Sequence, residues 1–247
     1  MIIIKHIYSK GKPIINIVKV QPGEKVRAVI PVKKFSDDKY LLFSTRNGLL
    51  KKTALSSYSN VRESGIIALN LEQDDDLVSV LLTSGLDTIF LATANGMAVR
   101  CSEEDVRPTG RNSTGVYGVK LEQGDTVVGA IISHENQTIL TMTENGYGKR
   151  TDPEEYRHIS RGGKGVINII TSERNGKVVA VRSVTEDQDV MLISRNGITI
   201  RTPASGISII GRNTQGVRLM NLNDGDKLKA CTLVEHENGS AAEEKKE

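Results

Sequence analysis

The chain has 247 residues, 26% of them charged and 38% hydrophobic, with 23 glycines, few aromatics and no tryptophan. This is the composition of a globular protein, long enough for one large core or two small ones. Cys101 and Cys231 stand alone, which excludes a disulfide framework or a zinc knuckle, and the net charge of +3 is too small to argue by itself for a polyanionic partner.

The start, MIIIKHI, has an apolar run of three residues before Lys5, too short for a signal peptide or a membrane span. With two unpaired cysteines, a reducing cytoplasm is the expected location. The next stretch, KPIINIVKVQPGEKVRAVIPV, matches the second half of a unit that recurs further on, with Lys12–Ile17 aligning on Lys164–Ile169.

From Tyr40 the chain repeats itself. Asn-Gly occurs at 47–48, 95–96, 145–146 and 196–197, each time after an apolar, β-rich run: YLLFST, TIFLAT, TILTMT, VMLIS. A second short run follows each pair and ends in Lys52, Arg100, Arg150 or Arg201. Asn-Gly between two such runs is a strong hairpin signal, the expected turn being type I′ with φ > 0 at both central residues. A longer connection then leads to Gly65, Gly115, Gly165 or Gly216 and a third apolar run. A second turn (LEQDDDLV, LEQGDTVV, SERNGKVV, NDGDKLK) and a fourth run close each unit.

Four-stranded units recurring at about 50 residues predict propeller blades, and the continuous apolar first strands predict burial on both faces. The predicted fold is all-β, with full repeats over 40–87, 88–137, 138–188 and 189–234. A partial repeat precedes them over 1–39, and a polar tail over 235–247 reads as disordered.

Charge is segregated between loop classes. The five connections between second and third runs hold nine Lys/Arg and three acids, whereas the turns between third and fourth runs hold ten acids and three bases. In a propeller these loops leave opposite ends of the strands, so the cations predict a basic band that a polyanion could follow. The band comprises Lys10, Lys12, Arg62, Arg111, Arg161, Lys164 and Arg212. Lys51, Lys52, Arg100, Lys149, Arg150 and Arg201, after the hairpins, would extend it, unless they salt-bridge recurrent acids. In SRGGKG, Gly162 and Gly163 allow close approach of backbone to phosphate between two cations. A nucleotide P-loop is not implied, because no helix follows. The four histidines lack partners at metal-ligand spacing and no catalytic constellation stands out, so the chain reads as a binding module without a metal or cofactor of its own.

The stretches GLLKKTALSSYS, NGYGKRTDPEEYRHISRGGKGVINI and ISIIGRNTQGVRLMNL are similar to the C-terminal domain of the DNA gyrase A protein, over residues 9–234. The corresponding domain of topoisomerase IV is a more distant match, and an orphan protein-interaction propeller that docks on the topoisomerase core without gripping DNA is the other reading left open. The resemblance implies a β-pinwheel, a propeller-like arrangement whose blades exchange strands and around whose edge double-stranded DNA wraps. It implies a part in ATP-dependent negative supercoiling, partnered by the gyrase A core and gyrase B, with ATP and Mg2+ bound elsewhere in the holoenzyme. The isolated domain is expected to be monomeric and away from membranes. The family's six repeats and its Q-R-R-G-G-K-G box are not all present. The nearest stretch, Ile159–Gly165, matches five of seven positions in a later repeat, and by analogy it assigns DNA contact to Arg161, Gly162, Gly163 and Lys164.

Overall fold

In the computed structural model of the chain, residues 26–60 and 65–235 are described. Lys10, Lys12, Arg62, most of the partial repeat and the tail beyond Glu235 lie outside them. The secondary structure is almost wholly strand. The first full repeat forms β1 (Tyr40–Thr45), β2 (Leu49–Ala54) and β3 (Leu77–Thr83). The second forms β4 (Thr88–Thr93), β5 (Met97–Ser102), β6 (Val116–Tyr117) and β7 (Val127–Ile132). The third forms β8 (Thr138–Thr143), β9 (Tyr147–Thr151), β10 (Val166–Ile167) and β11 (Val178–Val184). The fourth forms β12 (Gln188–Ser194), β13 (Thr199–Pro203), β14 (Val217–Arg218) and β15 (Leu228–Glu235).

The sheets do not coincide with the repeats. Their strand orders are β3-β1-β2-β6, β10-β5-β4-β7, β11-β8-β9-β14 and β13-β12-β15. In each of the first three, the two-residue third strand of the following repeat completes the hairpin of the one before. Among the described residues the fourth sheet has three strands, with β13 at one edge and no added third strand beside it. Among the described residues, the third run of the first repeat, 66–69, pairs in no sheet. The chain accordingly divides into two compact units that cut across the repeats: Met1–Ser133 with Tyr156–Asn168, and His134–Glu155 with Ile169–Glu247.

The glycine before each third strand shows why the sequence specifies this exchange. Gly165 has φ +83°, and a Cβ there would lie 2.3 Å from the carbonyl oxygen of Ala98 in the neighbouring hairpin; at Gly115 the equivalent distance, to Leu50 O, is 2.5 Å. Only a residue without a side chain lets the strands meet this closely in this conformation.

The hairpins depart from type I′. Gly48, Gly96, Gly146 and Gly197 have φ between +80° and +87°, but Asp74 is the sole described non-glycine with positive φ. The asparagines therefore occupy ordinary regions. The loops are three-residue turns in which, for example, Gly48 N donates to Thr45 O at 3.0 Å, a type I turn followed by a left-handed glycine. The turn between third and fourth strands stabilises this form. Asp75 Oδ1 accepts from Asn47 N at 2.9 Å, Asp125 Oδ1 from Asn95 N at 2.9 Å and Asp226 Oδ1 from Asn196 N at 3.1 Å. Three of the acids in these turns are thus hairpin caps.

The first unit has two cores. Leu41, Phe43, Leu55, Tyr58, Leu77 and Val80 pack on one face of the first sheet. Leu42 and Leu50, from its other face, pack with Ile89, Leu91, Val99, Val106 and Val119. The successive residues Leu41, Leu42 and Phe43 are all fully buried, which accounts for an unbroken apolar run in a strand. In the second unit Leu140, Met142, Val190, Leu192, Ile207 and Met220 make the corresponding core.

Candidate nucleic-acid interface

The connection from second to third strand begins as a short 3-10 turn in every repeat: Leu55–Tyr58, Glu103–Asp105, Pro153–Glu155 and Ala204–Gly206. These turns lie beside the connectors between repeats, since Glu103 N donates to Asp87 O at 2.8 Å and Leu55 N to Lys39 O at 2.8 Å. The basic loops and the connectors therefore share one end of the strands. The cap contacts of Asp75, Asp125 and Asp226 hold the acidic turns at the other, hairpin end.

The segment 157–165 extends this connection in the first unit and is pinned along its length. Ile159 N donates to Arg100 O at 2.9 Å, Gly162 N to Gly118 O at 2.8 Å, and Gly163 O accepts from Lys120 N at 2.9 Å. Gly162 needs its φ of +77° to turn the chain here. Arg161 is exposed, and its Nε donates to Asp105 O at 2.7 Å while Nη1 lies 3.5 Å from Tyr117 O. This guanidinium is oriented by carbonyls, which leave its charge uncompensated. Lys164 is exposed and has no hydrogen bond or ion pair among the described residues. Arg107, Arg157 and Lys120 are also exposed, and Tyr117 presents 63% of its surface beside Gly162. Nothing in the sequence singles out Lys120 or Tyr117, because both sit in or just after an apolar third run.

The remaining cations divide sharply. Arg111 is half-buried, with Nη1 3.4 Å from Ile67 O. Arg212 in the second unit is half-buried, and its backbone N donates to Glu155 Oε2 at 2.9 Å. Arg201 is ion-paired, with Nε 2.6 Å from Asp189 Oδ2.

Lys51, Lys52, Arg100, Lys149 and Arg150 require a correction, because all five are buried. Each belongs to a second strand that the next repeat covers, and each reaches carbonyls of that repeat's connection. Lys52 Nζ donates to Glu103 O at 2.9 Å, Arg100 Nη1 to Tyr156 O at 3.1 Å and Arg150 Nε to Ile207 O at 2.8 Å. Lys51 Nζ donates to Ala68 O at 2.8 Å and to Arg111 O, and Lys149 Nζ to Gly211 O at 2.7 Å. Lys51 and Lys52 also rest over the rings of Phe43 and Tyr40, at 5.6 and 5.2 Å. These groups clasp successive repeats by satisfying carbonyls that no ladder reaches. Acids take part too: Glu103 Oε1 lies 3.9 Å from Lys52 Nζ, and Glu186 Oε1 3.5 Å from Arg150.

Burial pushes the Lys51 and Lys149 ammonium groups down to about 8, with Arg111 and Arg212 respectively adding to the effect and Glu155 opposing it at Lys149. A lysine whose folded pKa is depressed makes the unfolded chain the better proton binder above that pKa, so stability rises with pH. The melting temperature is expected to climb between about pH 7 and 8.5, before unfolded-state thiols begin to ionise near 8.5. Thermal melts across this window should show a smaller climb in Lys149→Met, and an identical climb would remove Lys149 as its source.

A family profile described as "DNA gyrase C-terminal domain, beta-propeller" matches residues 8–33, 39–84, 87–134, 137–185 and 188–235. The gyrase A protein of Clostridium acetobutylicum is 44% identical over 239 residues, covering 97% of this chain and 29% of the relative. That of Halalkalibacterium halodurans is 50% identical over 236 residues, covering 96% and 28%. The chain thus spans less than a third of the length of these relatives. Among solved structures, the C-terminal domain of DNA topoisomerase IV superposes with a TM-score of 0.85 at 27% identity, covering 92% of this chain and 71% of the other. A DNA gyrase A C-terminal domain superposes at 0.81, also at 27% identity, covering 91% and 75%. With strand-exchanged four-stranded repeats, a matching profile along nearly its whole length and relatives of this identity, the chain belongs to the DNA gyrase C-terminal domain family, of β-propeller fold.

Proposed function

We propose that this chain binds duplex DNA without sequence preference through the basic connections between second and third strands, and that it wraps DNA as the C-terminal domain of a gyrase A protein. In that setting it steers ATP-dependent strand passage toward negative supercoiling in the bacterial cytoplasm, alongside the gyrase A core and gyrase B, which carry the ATP and Mg2+ chemistry. One observation carries the reading: the Arg161–Lys164 loop is held rigid by backbone bonds and offers two exposed cations with no carboxylate partner among the described residues. Main-chain rigidity keeps the entropic cost of binding low, and uncompensated cations gain from counterion release. Gly162, Gly163 and the exposed Arg107, Arg157 and Lys120 complete the surface on the first unit, with Arg111 at its margin and Arg212 on the second unit.

Charge reversal in Arg161→Glu/Lys164→Glu is expected to weaken duplex binding at least about tenfold at 0.1 M salt and to lower the slope of log K against log salt by about two. Fluorescence anisotropy with a labelled duplex measures both, and an unchanged slope would falsify the assignment. The 0.85 superposition on the topoisomerase IV domain supports the alternative of service in that enzyme. Incubation with relaxed closed-circular DNA and a relaxing topoisomerase, followed by the sign and size of the trapped linking change, separates wrapping from simple binding.

A further inference from the structure

A second cationic site lies in the second unit, at the hairpin end of the third sheet rather than at the end that carries the basic loops. Corresponding register pairs at this end are Leu49 with Tyr117 in the first sheet and Met97 with Ile167 in the second. In the third sheet the pair is Tyr147 with Arg218. The adjoining turn also differs from the others. Where they carry the capping Asp75, Asp125 and Asp226, it carries Asn175, whose Oδ1 accepts from Ser172 N at 2.8 Å, and it adds Arg174.

These substitutions converge. The guanidinium carbon of Arg174 lies 4.7 Å from the Tyr147 ring centroid and that of Arg218 lies 5.1 Å from it. Arg218 Nη2 donates to the Tyr147 hydroxyl at 2.6 Å, its Nη1 lies 3.3 Å from Asn221 Oδ1, and Arg174 Nη1 lies 3.5 Å from Gln215 Oε1. Every one of these partners is neutral. The nearby carboxylate of Glu144 is engaged instead by Lys227 Nζ at 3.8 Å and by Lys177 N at 3.3 Å. Hydrogen bonds from Arg174 and Arg218 hold the Tyr147 hydroxyl below its usual range, a sign of strong positive potential at this point.

Both arginines are exposed, and most of their five N–H donors each have no partner among the described residues. Two guanidiniums resting on one ring are already ordered, so a ligand that spans them loses little side-chain freedom. A carboxylate is satisfied by a single fork. A tetrahedral phosphoryl group has oxygens for two forks and charge for two cations.

We propose that Arg174 and Arg218, ordered on Tyr147, form a phosphate-binding site distinct from the basic loops, taking a phosphoryl group either of a nucleic-acid backbone or of free phosphate. The first test uses the full 247-residue chain and inorganic phosphate at constant ionic strength. The side-chain Nε–Hε resonances of Arg174 and Arg218 should shift saturably in the millimolar range, and the shift should vanish in Arg174→Gln/Arg218→Ile. Isoleucine stands at the equivalent position 167, so this variant keeps a side chain the fold already carries there. A second arm measures the salt dependence of duplex binding. A slope lower by about two in the double variant identifies the nucleic-acid backbone as source. A lost phosphate response with an unchanged slope identifies free phosphate. Absence of any saturable shift in the unaltered chain, together with an unchanged slope, overturns the site. Arg218→Lys, which keeps the charge but not the fork, provides the same readouts should the double variant fail to fold, with at least about a fivefold weaker phosphate response expected. The first arm contains no DNA, so its outcome is independent of the wrapping reading.

Discussion

Replacing Glu103 with alanine is expected to cost the first unit about 3–5 kcal/mol, the range for removing one partner of a buried ion pair. Glu103 is completely buried at the start of its 3-10 turn. Its Oε1 accepts from Thr83 Oγ1 at 2.5 Å and its Oε2 from Gly85 N at 3.0 Å and Asp87 N at 3.2 Å. It is also the carboxylate facing Lys52, itself only 3% exposed. Alanine would leave the buried Lys52 ammonium without its ion-pair partner, with only Glu104 still acting on it, and three donors without an acceptor. The Glu103→Gln variant keeps one acceptor oxygen and should lose less. Urea denaturation of both settles the point: a loss below about 1 kcal/mol for Glu103→Ala would mean that the carboxylate does not organise this connector.

The second large effect is expected at Gly165. Alanine there would have to hold a left-handed φ, at about 1–2 kcal/mol, and place its Cβ against a backbone carbonyl that cannot move without dragging the hairpin with it. A total above about 3 kcal/mol is expected, with Gly124→Ala as the control. Gly124 has φ +78° but open space around its Cβ position, so only the conformational part, about 1–2 kcal/mol, should appear there. Equal losses at the two positions in denaturant melts would show that β10 does not pack on β5 as described.

Much of the fold was legible in the residues. Asn-Gly pairs recurring after apolar runs located the hairpins, although they mark three-residue turns here, because Asp75, Asp125 and Asp226 cap the asparagine N–H from outside the hairpin. The candidate site was legible only in part. Arg161 and Lys164 lie on a loop whose glycines and charges are local features. Lys51, Lys149 and Arg150 look alike in sequence but are interior, because the next repeat folds over them. Glu103 shows the same limit from the other side: the positions equivalent to it, Leu55, Pro153 and Ala204, are buried and apolar, and nothing local marks the glutamate as their counterpart.

By itself, then, the sequence determined the repeat, the strand content, the hairpin positions and the glycines required for close approach, since each follows from local conformational preference or from apolar runs that must be buried. Tertiary structure decided which hairpin receives each third strand, which cations face inward and where Tyr147 gathers Arg174 and Arg218. Those outcomes depend on carbonyls and ring faces contributed by residues distant along the chain, as Gly211 is from Lys149 and Tyr147 from Arg218, and periodicity carries no information about which distant group will supply them.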